Sequence, residues 1–342
     1  MTHGARQERP TPPTLEAVAE AAGVSRATVS RVVNASPTVR PEVVDIVNAA
    51  IGKLNYVPNR AARSLASRQT QAIALVVPED PTRFFGDPYF AAIVQGITRR
   101  LDESEYILNL LVASDDPAHK AMRYLRSGNV DGALIVSHHD DDEYVTDIAT
   151  VMPSVFGGRP PNDADPGSHY VDIDNIAGAQ LAARHLIDIG RTRIGTITGP
   201  VDMPAGIDRL NGFLRTLEAA GVATDAIENA DFTASGAATA TRRLLDRIPD
   251  ADALFVASDL MATGALTVLR ERGLSIPGDI AVVGFDDSPL AASADVPLTT
   301  VSQPSTGMGF AMADMLLRLL SGDETVPHRT IMPTRLVLRA SA

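Results

Sequence analysis

The chain has 342 residues, 45% of them hydrophobic, and no cysteine, which excludes disulfide bonds, thiolate metal sites and cysteine nucleophiles. Its net charge is −12, but residues 1–70 hold nine Arg or Lys against five Asp or Glu, whereas the rest holds 21 against 37. A small basic segment on a larger acidic body predicts that only the N-terminal part binds a polyanion such as DNA.

The first 13 residues, MTHGARQERPTPP, are polar and contain three prolines. This composition predicts a disordered tail rather than a secretory signal, which would need an apolar segment. The sequence also contains no run of about 18 apolar residues, so no membrane partner is expected. We therefore expect a cytoplasmic, nucleoid-associated protein.

Residues 14–34, TLEAVAEAAGVSRATVSRVVN, predict two short helices joined by a tight turn at Gly23. Leu15 and Val18 begin an apolar pattern at helical spacing, and Ser25 can cap the second helix. A third helix is predicted from Pro41 to about Leu54, with Val44, Val47 and Ile51 closing a three-helix core. Two short helices around a glycine turn form a helix-turn-helix unit.

The outward face of the second helix is predicted to carry residues suited to DNA: Arg26, Ala27, Ser30 and Arg31. Arginine can make bidentate contacts with guanine edges, and hydroxyls such as those of Ser25 and Thr28 can hold phosphates. The alternative is a three-helix cap without a nucleic-acid role.

The segment Asn59–Thr70, NRAARSLASRQT, carries three arginines and one large apolar residue, Leu65, but no Gly or Pro. Its residues favour a helix, yet about ten residues are too few for a stable isolated helix in water. We therefore predict a helix over 59–69 that forms only when DNA and a partner support it.

From residue 71 onward, apolar strands alternate with amphipathic helices, which predicts an α/β fold with parallel sheets. The predicted strands are 71–77, 106–113, 131–137, 153–158, 193–199, 253–258 and 280–287. The predicted helices are 88–103, 117–127, 175–188, 208–220, 235–246, 259–272 and 305–320. These units are too many for one ordinary doubly wound sheet, so we predict two lobes with a boundary near 170–176.

Polar and aromatic residues follow several of the predicted strands, and ligands bind at the carboxyl ends of strands in such folds. Carboxylates beside an arginine and aromatic rings suit a polyhydroxylated ligand, because the charged groups bond hydroxyls while a ring stacks on the sugar. The expected effector-binding residues are Asp87, Tyr89, Phe90, Asp174, Arg209, Phe232, Ser258 and Asp286. Each aspartate has an alternative role as a helix cap.

The sequence offers little support for an enzyme, and we expect no catalytic residue, cofactor or metal. The segment HHDDDE (residues 138–143) lacks an HExxH spacing and is interpreted as an acidic surface loop. No GxSxG elbow or GxxxxGK[ST] phosphate loop is present. A transport-type sugar-binding protein remains the alternative from another class.

Two sets of motifs resemble the LacI/GalR family of bacterial transcription regulators. TLxxVAxxAGVSxxTVSRVVN, followed by LNYVPNRAARSLA, is similar to the family's DNA-binding headpiece, and GPxDMxAGxxRLxGF, VDIDNxxGA, ASDLMAxGAL and VVGFDDS are similar to its effector-binding core. DPYF, VFGGR and DMPAGIDR look most like the cellobiose-responsive branch. The resemblance covers the chain beyond its first 13 residues.

The resemblance implies a homodimeric repressor of double-stranded operator DNA. A sugar, either cellobiose or another oligosaccharide, would release the repressor from the operator. The alternative is a corepressor, a ligand that strengthens operator binding. The resemblance also implies a headpiece over 14–58, a hinge helix over 59–69, and a core over 70–342 with the fold of periplasmic sugar-binding proteins. The lobes would span about 70–171 with 302–329 and about 172–301 with 330–342. Leu65 would wedge into a minor-groove base step. The implied DNA-contacting residues are Ser25, Arg26, Ala27, Thr28, Ser30, Arg31, Asn34, Tyr56, Asn59, Arg60, Arg63 and Leu65.

Overall fold

The computed structural model describes residues 13–33, 36–56, 69–113, 120–140, 142–160 and 167–342. The chain divides into two units, Met1–Thr70 and Gln71–Ala342. We call the first unit the headpiece and the second the core, and each is described by itself. Most of the predicted hinge helix lies outside the described residues.

The headpiece consists of three helices in its described part: α1 (Leu15–Ala22), α2 (Arg26–Val33) and α3 (Pro41–Leu54). Thr14 caps α1 by accepting a hydrogen bond from the Ala17 amide at 3.3 Å. Gly23 then ends α1 with a φ of 64°, a left-handed conformation that glycine adopts at little cost. The predicted cap of α2 is confirmed, since the Ser25 hydroxyl accepts from the Thr28 amide at 3.1 Å.

A small apolar core joins the three helices through Val18, Val29 and Val47, all fully buried. On α3, Val43 packs against this core rather than the expected Val44. Positions 43, 47, 50 and 54 form one stripe at helical spacing, and residue 44 lies beside it.

The core contains two six-stranded sheets with helices around them. The strands are β1 (Ala72–Val77), β2 (Ile107–Val112), β3 (Gly132–Val136), β4 (Ser154–Gly157), β5 (His169–Ile173), β6 (Ile194–Thr198), β7 (Ile227–Asn229), β8 (Ala253–Val256), β9 (Ala281–Asp286), β10 (Thr299–Ser302), β11 (Arg329–Met332) and β12 (Arg335–Val337). The helices are α4 (Pro81–Gly86), α5 (Pro88–Leu101), α6 (Lys120–Arg126), α7 (Glu143–Val151), α8 (Asn175–Asp188), α9 (Pro204–Ala219), α10 (Ala234–Arg247), α11 (Asp259–Glu271), α12 (Pro289–Ser293) and α13 (Ser305–Leu320).

Each sheet forms the centre of one lobe. The first lobe has the strand order β11-β5-β4-β3-β1-β2, and all its strands are parallel. The second lobe has the order β12-β10-β9-β8-β6-β7 and is parallel except for β12, which pairs antiparallel with β10. β1, β3 and β8 are buried along their whole length, as expected for strands covered by helices on both faces.

The chain crosses between the lobes three times: after β5, after β10 and between β11 and β12. Strand β11 pairs with β5 in register from Arg329 to Met332, so the last crossing follows Met332 rather than residue 329. The backbone amide of Asp174 donates to the carbonyl of Met332 at 3.0 Å, which ties two crossings together. These two crossings therefore lie side by side between the lobes.

Candidate functional site

A cavity lies between the two lobes of the core, at the carboxyl ends of several strands. Six of the eight expected effector-binding residues line it: Asp87, Tyr89, Arg209, Phe232, Ser258 and Asp286.

Arg209, on α9, is the central cation of this cavity and is only 6% exposed. Its Nε donates to Asn175 Oδ1 at 2.9 Å, and its Nη1 donates to the carbonyl of Ala257 at 2.6 Å. The guanidinium carbon lies 3.7 Å from the ring centre of Phe285. Two hydrogen bonds and one stacking contact thus fix the plane of the guanidinium before any ligand arrives.

Three buried carboxyl groups surround this arginine: Asp87, Asp172 and Asp286. Burial raises the pKa of all three, most strongly that of Asp286, while the charge of Arg209 opposes the rise. Asp286 Oδ1 lies 3.7 Å from Arg209 Nη1 and also accepts a hydrogen bond from Gln303 Nε2 at 2.6 Å. Neutral hydroxyl groups can donate to such carboxylates without adding another charge to the cavity.

Phe232 gives the cavity an aromatic wall. Its backbone has a φ of 58°, which is unusual for a bulky residue. The ring fits because residue 199 is glycine: a Cβ there would come within 2.2 Å of Phe232 Cζ. Gly199 therefore permits a ring position suited to stacking against a sugar.

Ser258 caps α11 by accepting a hydrogen bond from the Met261 amide at 3.2 Å. The next residue, Asp259, is fully buried and accepts from Thr300 Oγ1 at 2.6 Å and from the Ser288 amide at 2.7 Å. Burial raises the pKa of Asp259 to about 6. Asp259 thus serves to hold the loop that carries Asp286 rather than to line the cavity.

Two side-chain ion pairs connect the lobes beside the cavity. Arg159 of the first lobe donates through Nη2 to both carboxylate oxygens of Asp208, each at 3.2 Å. His139 of the first lobe lies between Glu79, at 3.4 Å, and Asp202 of the second lobe, at 2.9 Å. The hydrogen bond to Glu79 does most to raise the pKa of His139, to about 9. The lobes are therefore held together by contacts that depend on charge.

Two expected effector-binding residues do not line the cavity. Phe90 is 1% exposed and packs against Phe84, with ring centres 5.1 Å apart. Asp174 caps α8 by accepting from the Ala177 amide at 2.8 Å. Phe90 therefore packs in the apolar core, and Asp174 has the capping role that the sequence left open.

Several residues that line the cavity were not predicted from the sequence: Arg83, Ser137, His138, Arg159, Asp172 and Gln303. Ser137, His138 and Arg159 directly follow apolar strands, so the rule used for the aspartates could have found them. The interpretation of HHDDDE as a surface loop was wrong for its two histidines. His138 is buried in the cavity wall, and His139 joins the lobes.

The headpiece presents a second candidate site, for nucleic acid. Ser25, Arg26, Ala27 and Arg31 are exposed, and Thr28 and Ser30 are partly exposed. Arg26 forms an ion pair with Glu16 at 3.0 Å on this open surface. Tyr56, in contrast, is 7% exposed and belongs to the headpiece core, so its main role here is packing.

The other expected DNA contacts, Asn34, Asn59, Arg60, Arg63 and Leu65, lie outside the described residues. Within the described part of the chain, no group of three or more His, Cys, Asp or Glu is placed to hold a metal ion. No helix among the same residues is long and apolar enough to cross a membrane.

Two family models and several known proteins match this chain. Residues 14–59 match the lacI family of bacterial regulatory proteins, and residues 183–342 match the periplasmic binding protein-like domain. The HTH-type transcriptional regulator CelR of Thermobifida fusca is 45% identical over 98% of this chain and 99% of its own length. The ribose operon repressor of Escherichia coli strain K12 is 34% identical over 96% of this chain and 99% of its own length.

Two solved structures share the fold over nearly the whole chain. A complex of the transcriptional regulator CelR with cellobiose has 44% identity and a TM-score of 0.77, covering 96% of this chain and 100% of its own. The Lac repressor dimer bound to operator and the anti-inducer ONPF has 29% identity and a TM-score of 0.85, covering 97% and 99%.

Proposed function

This chain belongs to the lacI family of bacterial regulatory proteins, and on that basis we propose that it is a transcriptional repressor controlled by a sugar. The headpiece would bind operator DNA, and the cavity between the lobes would bind the sugar. The oriented guanidinium of Arg209, set among three buried carboxyl groups and facing an aromatic wall, carries this proposal. That combination suits a ligand with several vicinal hydroxyl groups and an apolar ring face.

Cellobiose is the ligand we propose first. The support is the 44% identity to a regulator whose solved complex contains cellobiose.

On DNA, the protein would act in the cytoplasm as a homodimer, because a two-fold dimer can place two headpieces on two half-sites of a palindromic operator. The dimer form of the Lac repressor, at 29% identity, supports this assembly. Arg26, Ala27 and Arg31 would face base edges, while Ser25 and Thr28 would contact phosphates.

The sugar would control DNA binding by changing the arrangement of the two lobes. A ligand that binds Arg209 on one lobe and Asp87 or Asp172 on the other changes the preferred lobe arrangement, and the dimer then holds the headpieces differently. This is a coupling free energy, typically about 1–3 kcal/mol, and it acts equally in both directions. The protein would have no catalytic role, since the cavity serves to sense its ligand.

An operator-binding assay against a panel of mono- and disaccharides tests the proposal. We expect cellobiose to weaken operator binding at fixed salt, with closely related sugars acting less strongly. A sugar that tightens operator binding would instead make the protein a corepressor-dependent regulator. If no sugar binds, the proposed ligand class is wrong.

A further inference from the structure

Two residues that line the cavity have a buried polar side-chain atom without a hydrogen-bond partner. These atoms are Nε of Arg83 and Nδ1 of His138. A buried polar group without a partner costs free energy, so native structures retain few of them. Their location in the wall of a binding cavity indicates that a ligand supplies the missing partners.

The tautomer of His138 follows from the other nitrogen of its ring. Nε2 lies 2.9 Å from the carbonyl oxygen of Arg159, and a carbonyl only accepts, so Nε2 must carry the proton. The ring packs edge-on against Phe156, and burial lowers the pKa of His138 to about 4. In the neutral ring, Nδ1 is then a lone-pair acceptor.

Arg83 provides the complementary group. One of its terminal nitrogens pairs with Glu79, which leaves the Nε hydrogen as an unpaired donor. Among the described lining residues, Nδ1 of His138 is thus a buried acceptor without a partner and Nε of Arg83 a buried donor without one, and a hydroxyl group can satisfy either.

We propose that His138 is a specificity-determining residue whose Nδ1 accepts a hydrogen bond from one hydroxyl group of the bound sugar. The inference rests on the proposal that this cavity binds a sugar. It also implies an unphosphorylated ligand at this position, because a phosphate dianion has no hydrogen to donate to Nδ1. Two arginines that line the same cavity are already paired with carboxylates, Arg83 with Glu79 and Arg159 with Asp208.

The test compares cellobiose with its monodeoxyfluoro derivatives, in each of which one hydroxyl is replaced by a fluorine that cannot donate. Binding is measured by calorimetry to the full-length protein and to two variants, His138→Asn and His138→Leu. The two new side chains have nearly the same shape, and both lose the bond to Arg159. Only asparagine retains a polar atom capable of accepting near the position of Nδ1.

In the unaltered protein, we expect one derivative to bind at least about tenfold more weakly than cellobiose because it leaves Nδ1 unpaired. That penalty should persist in His138→Asn and fall below about threefold in His138→Leu. Penalties at hydroxyl groups bound by the aspartates should be the same in all three proteins.

A set of penalties that is identical in all three proteins would contradict the role of His138 and leave the sugar proposal intact. Failure of the unaltered protein to bind cellobiose would contradict the proposed ligand, and this inference with it. Melting temperatures of the ligand-free variants show whether each one is folded. Because the asparagine and leucine side chains have nearly the same shape, a general packing defect would affect both variants equally.

Discussion

The guanidinium of Arg209 lies 3.7 Å from the carboxylate of Asp286, and both side chains are buried at the junction of the lobes. Arg209 comes from α9, and Asp286 comes from the end of β9 with a φ of 113°, in a conformation that a non-glycine residue rarely adopts. Gln303 and Asp259 hold Asp286 and its loop in place. The pair is thus preorganised to exchange hydrogen bonds with a ligand on one side of the cavity.

Substitution of either partner of this pair should weaken the sugar response. Arg209→Ala leaves buried carboxyl groups without their cation, and we expect sugar affinity to fall by about 2–5 kcal/mol. Asp286→Asn keeps the shape but removes the anionic acceptor, so it should weaken sugar binding less. Both variants should still bind the operator, as measured by fluorescence anisotropy. Normal release by sugar in both variants would contradict the site assignment.

Arg209→Lys is the matched control for charge. Lysine keeps the positive charge but loses the planar fork that contacts Asn175 and Ala257 and stacks on Phe285. We therefore expect the lysine variant to bind sugar nearly as poorly as the alanine variant.

Arg31→Ala should impair recognition of the operator sequence and leave the sugar site intact. Arg31 is exposed on α2, where it can reach a base edge. Its loss should cost about 1–3 kcal/mol of discrimination between operator and a site with one changed base pair. Calorimetric sugar binding should be unchanged. An equal loss of affinity for all DNA sequences would show that Arg31 contacts phosphate instead.

Leu65→Ala and Arg63→Ala should separate two modes of binding by the predicted hinge helix. If Leu65 wedges between base pairs, its truncation weakens operator binding without changing the salt dependence, because no charge is lost. Arg63→Ala should reduce the slope of log affinity against log salt by about one unit if this arginine contacts a phosphate. Equal slopes for Arg63→Ala and the unaltered protein would contradict that contact.

The bridge formed by His139 should make the stability of the core sensitive to pH. Because its folded pKa of about 9 lies above the ordinary value of 6.5, His139 stabilises the folded core fully below about pH 6.5 and loses this effect as pH rises through 9. The partner groups are the carboxylates of Glu79 and Asp202, and Asp142 accepts from the backbone amide of His139. The melting temperature should fall across this pH window.

His139→Gln provides the matched control because it removes the titrating group but keeps a polar side chain. The part of the decline between pH 6.5 and 9 that depends on His139 should be absent in this variant. An identical pH profile for both proteins would show that His139 does not carry its proton into this range.

The sequence predicted those elements whose apolar residues recur at a regular spacing. The predicted apolar strands appear within two residues of their predicted bounds, and the amphipathic helix over 175–188 has the bounds that were predicted, because the pattern of burial defines these elements. The strands Thr299–Ser302, Arg329–Met332 and Arg335–Val337 were missed because they are short and partly polar. Their identity as strands depends on pairing with distant parts of the chain.

The site was harder to predict for the same physical reason. Tyr89 and Phe90 are adjacent on α5, about 100° apart around the helix, and only Tyr89 lines the cavity. His138 looked like part of a polar loop because its burial depends on packing against Phe156 and on the carbonyl of Arg159. Contacts of this kind become visible only once the strands are placed side by side.

Two titrations at one fixed salt concentration test the coupling between sugar and operator most directly. The first measures operator affinity with and without saturating cellobiose, and the second measures cellobiose affinity with and without operator. We predict that cellobiose raises the operator dissociation constant by about 5- to 150-fold, and that operator raises the cellobiose dissociation constant by the same factor. If the cellobiose and operator affinities are independent of each other, the proposed coupling between the two sites is wrong.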